Sequence, residues 1–565
     1  MKIIKKDPVN QFLYAFEFDF DWNVIKFCQK TKDKTGLSAL YFKYKKWRFS
    51  ELAIVDLIRS AFPDVALEPA VEVDLVSHKL WKANEVRRMS KALELKNALE
   101  TDFVVNNLIL DLYPYQRVGV EFLENNSGRC VIADEMGVGK TCQALGYIAH
   151  KCFKKTVVVC PATAKGVWKK ETKKFTKLKS FVMTTAPLTE EIWSNHDIFI
   201  INYDSISKHS DFLMAKAAAG LIDCLIVDES HRIKDPTRLR SRAVGLLSRN
   251  IPHFIALSGT PMLNRPIELF TTLNIINPAE WPDFQAYKNR YCWSKEKFDY
   301  TGAANIEELR GKIASYFLRR TKDQVLPYLP KRIYSEIPIE LDSETAQDYA
   351  DAEAGLIADF RSGKKIETVN ALKVLNELRR LSSIGKIEQG IELIKDIIES
   401  EKVIVFSNFN EPLKQLKEYF GDQAVMITYK VTKDEDRDRA VSEFQTNPDV
   451  KIFLGGMRAA GEAITLTAGK TTIFFDFSWV PADHDQAASR NHRPSDLEVK
   501  HDNLNILQLV TLGTIDDRMK LILEKKRKTF DELFAKDPKK AQNYMVEAIL
   551  ESYKEEYADR GLQKN

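Results

Sequence analysis

The chain is 565 residues long, with 44% hydrophobic, 10% aromatic and 29% charged residues, which suits several packed cores and excludes a disordered chain. With 84 Lys and Arg against 80 Asp and Glu, the net charge of +4 excludes the strong overall basicity of a small nucleic-acid-binding module. Seven Cys with no CxxC pair point to neither a zinc site nor a disulfide framework, and no window approaches the roughly 18 apolar residues of a membrane span.

Charge is unevenly placed along this balanced chain. Residues 1–50 hold 11 Lys and Arg against 5 Asp and Glu, and residues 151–180 hold ten Lys against Glu171 alone. In the first stretch Tyr14, Phe16, Phe18 and Phe20 alternate with Ala15, Glu17 and Asp19, and ALYFKYKKWRF over residues 39–49 is a second β-rich run. This predicts a small α+β module, with its boundary near residue 105. From about residue 108 the pattern changes to the apolar runs CVIADEM, VVVCPAT, IFIINYD, CLIVDES and FIALSGT, separated by helical segments. Such runs read as parallel strands buried on both faces, with functional groups at their C-terminal ends, and predict an α/β lobe over 106–280. Residues 281–385 read as a helical insertion and linker, with Leu372, Leu375, Leu378 and Leu381 at helical spacing. KVIVFSN, AVMITY, KIFLGG and TTIFFDF then repeat the strand pattern and predict a second parallel-sheet lobe over 386–535. Residues 536–565 read as a charged helical tail.

The strongest chemical signal is Asp134-Glu135-Met136-Gly137-Val138-Gly139-Lys140-Thr141, set between the strand-like Cys130–Ala133 and the helical CQALGYIAH. It matches the end of the phosphate-binding pattern GxxxxGK[ST], with Asp134 in place of the first glycine. Two glycines let the backbone N–H groups curl around phosphate oxygens, Lys140 brings a cation to the β- and γ-phosphates of ATP, and Thr141 offers a hydroxyl to Mg²⁺. Asp228-Glu229-Ser230-His231 follows a second strand-like run. Asp228 suits a Mg²⁺ ligand, and Glu229 suits the group that polarises the attacking water.

Taken in order, DEMGVGKT, CPATAKGVWKKE, INYD, DESH, SGTP and FLRRTKDQVLPYLPKR resemble the motif series of the Swi/Snf-type DNA-dependent ATPases of helicase superfamily two. VIVFSNF, RDRAVSEFQ, AAGEAITLTAG, FDFSWVPADHDQAASRNHR and GTIDDRMKLILEKKRK continue it, so the resemblance covers about residues 108–535. It implies two RecA-like lobes with helical insertions. It places Gln116 where the family reads adenine, and Ser258-Gly259-Thr260 where ATP state is coupled to lobe movement. Gln486, Arg490 and Arg493 match the sixth motif, whose arginines reach the γ-phosphate from the opposite lobe. The fifth motif, Gly456 to Leu466 with Arg458 as a DNA contact, departs from the pattern at its Gly start. The sixth ends Pro494-Ser495-Asp496 in place of Gly-Gln.

With Lys140 and Glu229 in one lobe and the arginines in the other, hydrolysis requires the lobes to close, and a nucleic acid lying across both would be stepped along. Lys165, Lys169, Lys170, Lys173, Lys174 and Lys177 recur largely at helical spacing and predict a basic, salt-sensitive DNA face. Trp479 and Trp168 are further candidates for that side. FEFDFDWNVIKFCQK and YFKYKKWRFSE resemble the HARP module of annealing helicases, which implies that Lys43, Lys45, Lys46, Trp47 and Arg48 grip duplex or branched DNA. The expectation is an ATP-driven translocase on double-stranded DNA that remodels or reanneals forks or junctions. It uses ATP and Mg²⁺, works as a monomer without a membrane, and is nuclear in a eukaryote or cytoplasmic or nucleoid-associated in a prokaryote or virus. The alternatives are a strand-separating DNA or RNA helicase and an ATP-gated DNA clamp.

Overall fold

The computed structural model describes residues 2–9, 12–19, 21–35, 41–43, 46–49, 52–259, 266–293, 302–361, 368–428, 431, 434–457, 464–479, 481–493, 501–522, 546, 548–550 and 552. The chain divides into two compact units, Met1–Leu93 and Glu94–Asn565, so the first break falls before the expected residue 105. Among the described residues, no helix is long and apolar enough to cross a membrane.

The N-terminal unit is a five-stranded sheet in the order β3-β4-β2-β1-β5. Its strands are β1 (Lys2–Val9), β2 (Phe12–Phe18), β3 (Tyr41–Lys43), β4 (Lys46–Phe49) and β5 (Ala66–Leu67). Alternation along β2 puts Tyr14, Phe16 and Phe18 on one face, where they meet Ile4, Trp47 and Phe49. The helices Trp22–Thr35 and Ala53–Ala61 cover that face with Val24, Cys28, Ile54, Val55 and Ile58. Asp74 ties the following helix down, accepting from the Tyr14 hydroxyl at 3.0 Å and pairing with Lys6 at 2.9 Å.

The second unit opens with a seven-stranded, all-parallel sheet in the order β14-β6-β11-β10-β7-β9-β8. Here β6 is Arg129–Ile132, β7 Thr156–Cys160, β8 Ser180–Val182, β9 Ile198–Asn202, β10 Cys224–Val227 and β11 His253–Leu257. Every residue of β7 and β10 is buried, which explains why these runs show no polar alternation: helices cover both faces. The loops that follow β6, β7, β9, β10 and β11 leave the sheet at one edge, so the motifs they carry converge there.

The segment expected to be a helical insertion over 281–385 is divided between the two lobes. Trp281, Tyr287, Tyr291, Leu309, Ile313 and Tyr316 belong to the first lobe's core, along with a short β12 (Cys292–Trp293) and β13 (Gly302–Ala303) ladder. Then β14 (Phe317–Leu318) pairs in parallel with β6. A two-residue strand gives no periodic signal, and aromatic side chains on short helices pack equally well in a lobe core or a linker.

The second lobe is a six-stranded parallel sheet in the order β15-β20-β19-β16-β18-β17. Its strands are β15 (Lys331–Ile339), β16 (Lys402–Ser407), β17 (Ala424–Ile427), β18 (Ile452–Gly456), β19 (Gly469–Phe474) and β20 (Asn503–Thr511). The four predicted strands are present, and β15 and β20 extend the sheet. Helix Thr368–Ile384 buries Leu375, Leu378 and Leu381, as their spacing predicts.

Polar groups fix that helix in register. Lys386 is fully buried, donates to the carbonyls of Phe475 at 2.6 Å and Leu509 at 3.0 Å, and pairs with buried Asp516. Ser382 donates to the same carboxylate at 2.9 Å, and Ser383 donates to Asp476 at 3.1 Å. Removing one partner of such a buried pair strands the other charge and typically costs about 3–5 kcal/mol. Lys386→Met is therefore expected to lower the urea midpoint of the second lobe by that equivalent. A loss under about 1 kcal/mol would mean that the pair does not anchor the helix.

Candidate nucleotide-binding site

Residues 133–139 leave β6 as a loop and enter helix Lys140–Lys151. Gly137 and Gly139 have φ of 86° and 95°, left-handed values that exclude a side chain without strain. At Gly139 a Cβ would also lie 2.2 Å from Gln116 Nε2. At Gly137 it would point toward Lys322 Cε at 3.2 Å and Arg493 Cγ at 3.3 Å. Cations therefore lie against the face of the glycine loop toward which a Gly137 side chain would point.

Asp134, expected to contact ATP, is turned inward. Its carboxylate is fully buried and accepts from Arg320 N at 2.9 Å, Nε at 3.1 Å and Nη2 at 2.5 Å, and from Gln143 Nε2 at 3.0 Å. The backbones run alongside, with Ala133 N donating to Leu318 O at 2.7 Å and Glu135 N to Arg320 O at 2.9 Å. Asp134 thus positions the loop, and its carboxylate is taken up by Arg320 and Gln143. Val138 is buried and its carbonyl accepts from Gln116 Nε2 at 3.1 Å, while Gln116 Oε1 accepts from Tyr113 N at 3.1 Å. Gln116 therefore caps helix Pro114–Asn125 and latches the loop with the two ends of one amide.

Lys140 folds back, donating to the carbonyls of Asp134 at 2.9 Å and Glu135 at 3.3 Å. Burial lowers its pKa, opposed by the charges of Glu229, Asp134 and Asp228. After β11, Ser258 is buried, and Gly259 lies so close to the loop that a Cβ would be 2.6 Å from Met136 Cγ and 3.3 Å from Lys140 Nζ. This segment is thus packed directly against the glycine loop. Thr260 lies outside the described residues.

The carboxylates after β10 complete this edge. Trp168 Nε1 and Glu229 N each donate to Asp228 at 2.9 Å. Glu229 holds φ 52° and ψ 54°, a left-handed conformation that costs a non-glycine residue about 1–3 kcal/mol. The Tyr203 hydroxyl supports the turn by donating to the carbonyls of Asp228 and Glu229. Burial and the adjacent Glu229 charge push Asp228 up to about 6. For Glu229 burial acts upward too, but His231, 3.2 Å away, with Lys140 and Arg232, outweighs it and holds the group down at about 2. Two half-buried carboxylates side by side, one raised by the other, suit a divalent cation. Asp228 and the Thr141 hydroxyl at the start of helix Lys140–Lys151 are hard oxygen donors of the kind Mg²⁺ takes. Among the described residues, no group of three His, Cys, Asp or Glu side chains gathers as a metal cage, so such an ion would also draw on phosphate and water oxygens.

The second lobe reaches this edge through the turn after helix Pro481–Ala488. Arg493 lies over Gly137 and donates to Thr465 Oγ1 at 2.8 Å. Burial draws its pKa down to about 10, with Glu171 of the first lobe opposing. Arg490 is buried in the same turn, and Gln486 is half-buried on the helix.

The residues expected on the DNA side divide. On helix Lys165–Phe175 the Lys169 side chain is exposed and Lys165 half-buried, whereas Lys170 pairs with Asp438 of the second lobe. Trp168 points inward to Asp228. Trp479 is buried in the second lobe, donates to Asn376 Oδ1 at 3.2 Å and lies 4.4 Å from the Arg379 guanidinium. Trp47 is part of the N-terminal core. All three tryptophans are packing residues: alternation puts Trp47 on the inner face of β4, and the buried indoles of Trp168 and Trp479 donate to Asp228 and Asn376. Arg458 and the side chain of Lys46 lie outside the described residues. Tyr203, Arg320 and Lys322 join the site unforeseen. The last two sit in the quoted FLRRTKDQV, but nothing local links that segment to a loop 186 residues earlier.

Residues 115–387 match the SNF2-related domain and residues 385–495 the helicase conserved C-terminal domain. The DNA annealing helicase and endonuclease ZRANB3 of Homo sapiens is 28% identical over 456 residues, 75% of this chain and 40% of that protein. The SWI/SNF-related matrix-associated actin-dependent regulator of chromatin subfamily A-like protein 1 of Xenopus laevis is 27% identical over 547 residues, 92% of this chain and 55% of that protein. The chain thus spans between two-fifths and just over half the length of these relatives. The SWI2/SNF2 ATPase core of Sulfolobus solfataricus, solved with double-stranded DNA, aligns over 79% of this chain and 97% of that one at 23% identity and a TM-score of 0.37. Matched by two adjoining domains from residue 115 to residue 495, the chain belongs to the Swi/Snf-type proteins of helicase superfamily two.

Proposed function

We propose that this chain is an ATP-driven translocase on double-stranded DNA that remodels or reanneals forks and junctions. The observation that carries the reading is the position of Arg493. A second-lobe arginine lies over Gly137 of the first lobe's phosphate loop, so the hydrolytic site is complete only when the lobes are together.

In this reading the loop from Ala133 to Gly139 presents backbone N–H groups to the phosphates, and Lys140 turns from its loop carbonyls to the β- and γ-oxygens. Mg²⁺, when bound by Thr141 and Asp228, supplies charge neutralisation to the phosphate oxygens. Glu229, held ionised and fixed by its left-handed backbone, orients and polarises the attacking water. That water's oxygen bonds to the γ-phosphorus, the bond to the β–γ bridging oxygen breaks, ADP departs carrying the electron pair, and the water's proton passes to an oxygen of the transferred phosphate. Arg493 stabilises the charge on the transferred group only in the closed state, which couples each turnover to opening and closing of the cleft.

The DNA part of the reading rests on the basic helix Lys165–Phe175 and on the names of the relatives, one of which is an annealing helicase. In the N-terminal unit, Trp47 and Phe49 occupy the inner face of β4, so Lys46 and Arg48 fall at register positions of the other face. That face is the proposed contact with branched DNA.

ATP hydrolysis measured without nucleic acid and with single-stranded, duplex and forked DNA and RNA should be stimulated most by duplex or forked DNA. Stimulation by RNA alone would overturn the proposal, and no stimulation by any of them would favour the clamp. Glu229→Gln should lower turnover by a factor on the order of 10²–10⁴ while retaining ATP binding, and unchanged turnover would remove Glu229 from its role. Reversing charge with Lys46→Glu and Arg48→Glu should reduce the preference for forked over linear duplex. An unaltered preference would leave the N-terminal unit as a cover without DNA contact.

A further inference from the structure

Lys322 starts the short helix Lys322–Val325, whose N-terminus Thr321 caps. Its backbone is fixed on both sides of the phosphate loop's first turn. Arg320, two residues earlier, is locked on Asp134, and Lys322 N donates to Glu135 Oε2 at 2.9 Å. From that anchor the side chain runs over Gly137, its Cε 3.2 Å and its Nζ 3.4 Å from where a Cβ would sit, beside Arg493 Cγ at 3.3 Å. It is one of the most deeply buried long side chains in the protein, 1% exposed.

What surrounds this ammonium is mostly positive. Lys140, Arg332 and Arg493 act on it as like charges, with Glu135 as the opposing carboxylate. Its Nζ hydrogen-bonds His492 Nδ1 of the second lobe at 3.5 Å, a long contact with a ring that burial, Lys322 and Arg332 keep neutral, at about 4. Among the described residues, no carboxylate forms an ion pair with Nζ. Burial and the neighbouring cations draw Lys322 down to about 7. A buried ammonium held by one long hydrogen bond among like charges is costly unless an anion joins it. An anion at this spot would meet the glycine loop below and Arg493 beside it, which is the arginine's end of a nucleotide's phosphate chain.

We propose that Lys322 is a second phosphate-binding lysine, which donates to the terminal phosphate of a bound nucleoside triphosphate and so distinguishes ATP from ADP. The proposal rests on the nucleotide reading above and adds the residue that senses the γ-phosphate from the first lobe. Because the same Nζ touches His492, the presence of that phosphate is registered next to the second lobe's arginine turn.

The test compares ATP and ADP affinity by calorimetry in this chain carrying Glu229→Gln, in which slowed turnover is expected to leave ATP intact during the titration, and in the same protein carrying Lys322→Gln, Lys322→Met or Lys322→Arg. Loss of one charge-assisted hydrogen bond predicts that Lys322→Gln and Lys322→Met weaken ATP binding by about tenfold or more. ADP binding should move less than about threefold, and Lys322→Arg should recover most of the ATP affinity. In the absence of nucleotide, Lys322→Met should be at least as thermally stable as its parent, since a buried charge is removed. Equal losses for ATP and ADP, or a drop in thermal midpoint with both, would make Lys322 a structural residue and overturn the proposal. An ATP-to-ADP ratio that does not change would overturn it too. A parent that binds neither nucleotide would overturn the nucleotide reading together with this one.

Discussion

The nucleotide site depends on the buried pairing of Arg320 with Asp134. Residues 186 apart in the chain meet through two guanidinium bonds and a backbone bond, at 3.1, 2.5 and 2.9 Å. The Arg320 Nη1 bond to Tyr115 O at 2.6 Å brings in the helix that carries Gln116. Buried ion pairs rarely add net stability, so the gain from this one is positional. A carboxylate where the phosphate-loop pattern has its first glycine lets a neighbouring strand hold the loop by side chain as well as by backbone. Lys322 is aimed by the same arrangement.

Around that anchor, charge is divided with little waste. Asp228 and Glu229 are adjacent and both half-buried, yet their environments push them apart. A Trp indole and a backbone amide face Asp228, while an imidazole and two cations face Glu229. Such a split is what the different roles proposed for these chemically similar groups require. The strain at Glu229 is borne by Tyr203, whose hydroxyl reaches the two carbonyls of the turn. On the other side of the cleft Arg493 faces Glu171, so the helix that offers lysines outward also presents an acid to the arginine inward.

Much of this was legible in the residues. The strands that carry motifs announced themselves because parallel strands buried on both faces are unbroken runs of β-branched side chains, and the glycines of the phosphate loop are required by backbone geometry. Less legible was whatever depends on distant partners. β14 is two residues long, and Asp134 and Arg320 are separated by most of a lobe. The three tryptophans show the limit most clearly. An indole reads the same in sequence whether it stacks on a base or packs in a core, and only the partners of Trp47, Trp168 and Trp479 decide. The glutamine at 116 was expected to read adenine; its amide serves the helix cap and the loop carbonyl, a use that spacing does not reveal.

The described chain passes from the first sheet to the second between Leu318 at the end of β14 and Lys331 at the start of β15. Within those few residues lie Arg320, bolted to the phosphate loop, and Lys322, touching His492. If the lobes rotate against each other, the fulcrum is set beside the glycine loop. In a lever so built, a displacement of the size of one bond at the short arm is magnified at the far rim of each lobe. The brevity of this crossover would set the transmission ratio of the proposed motor.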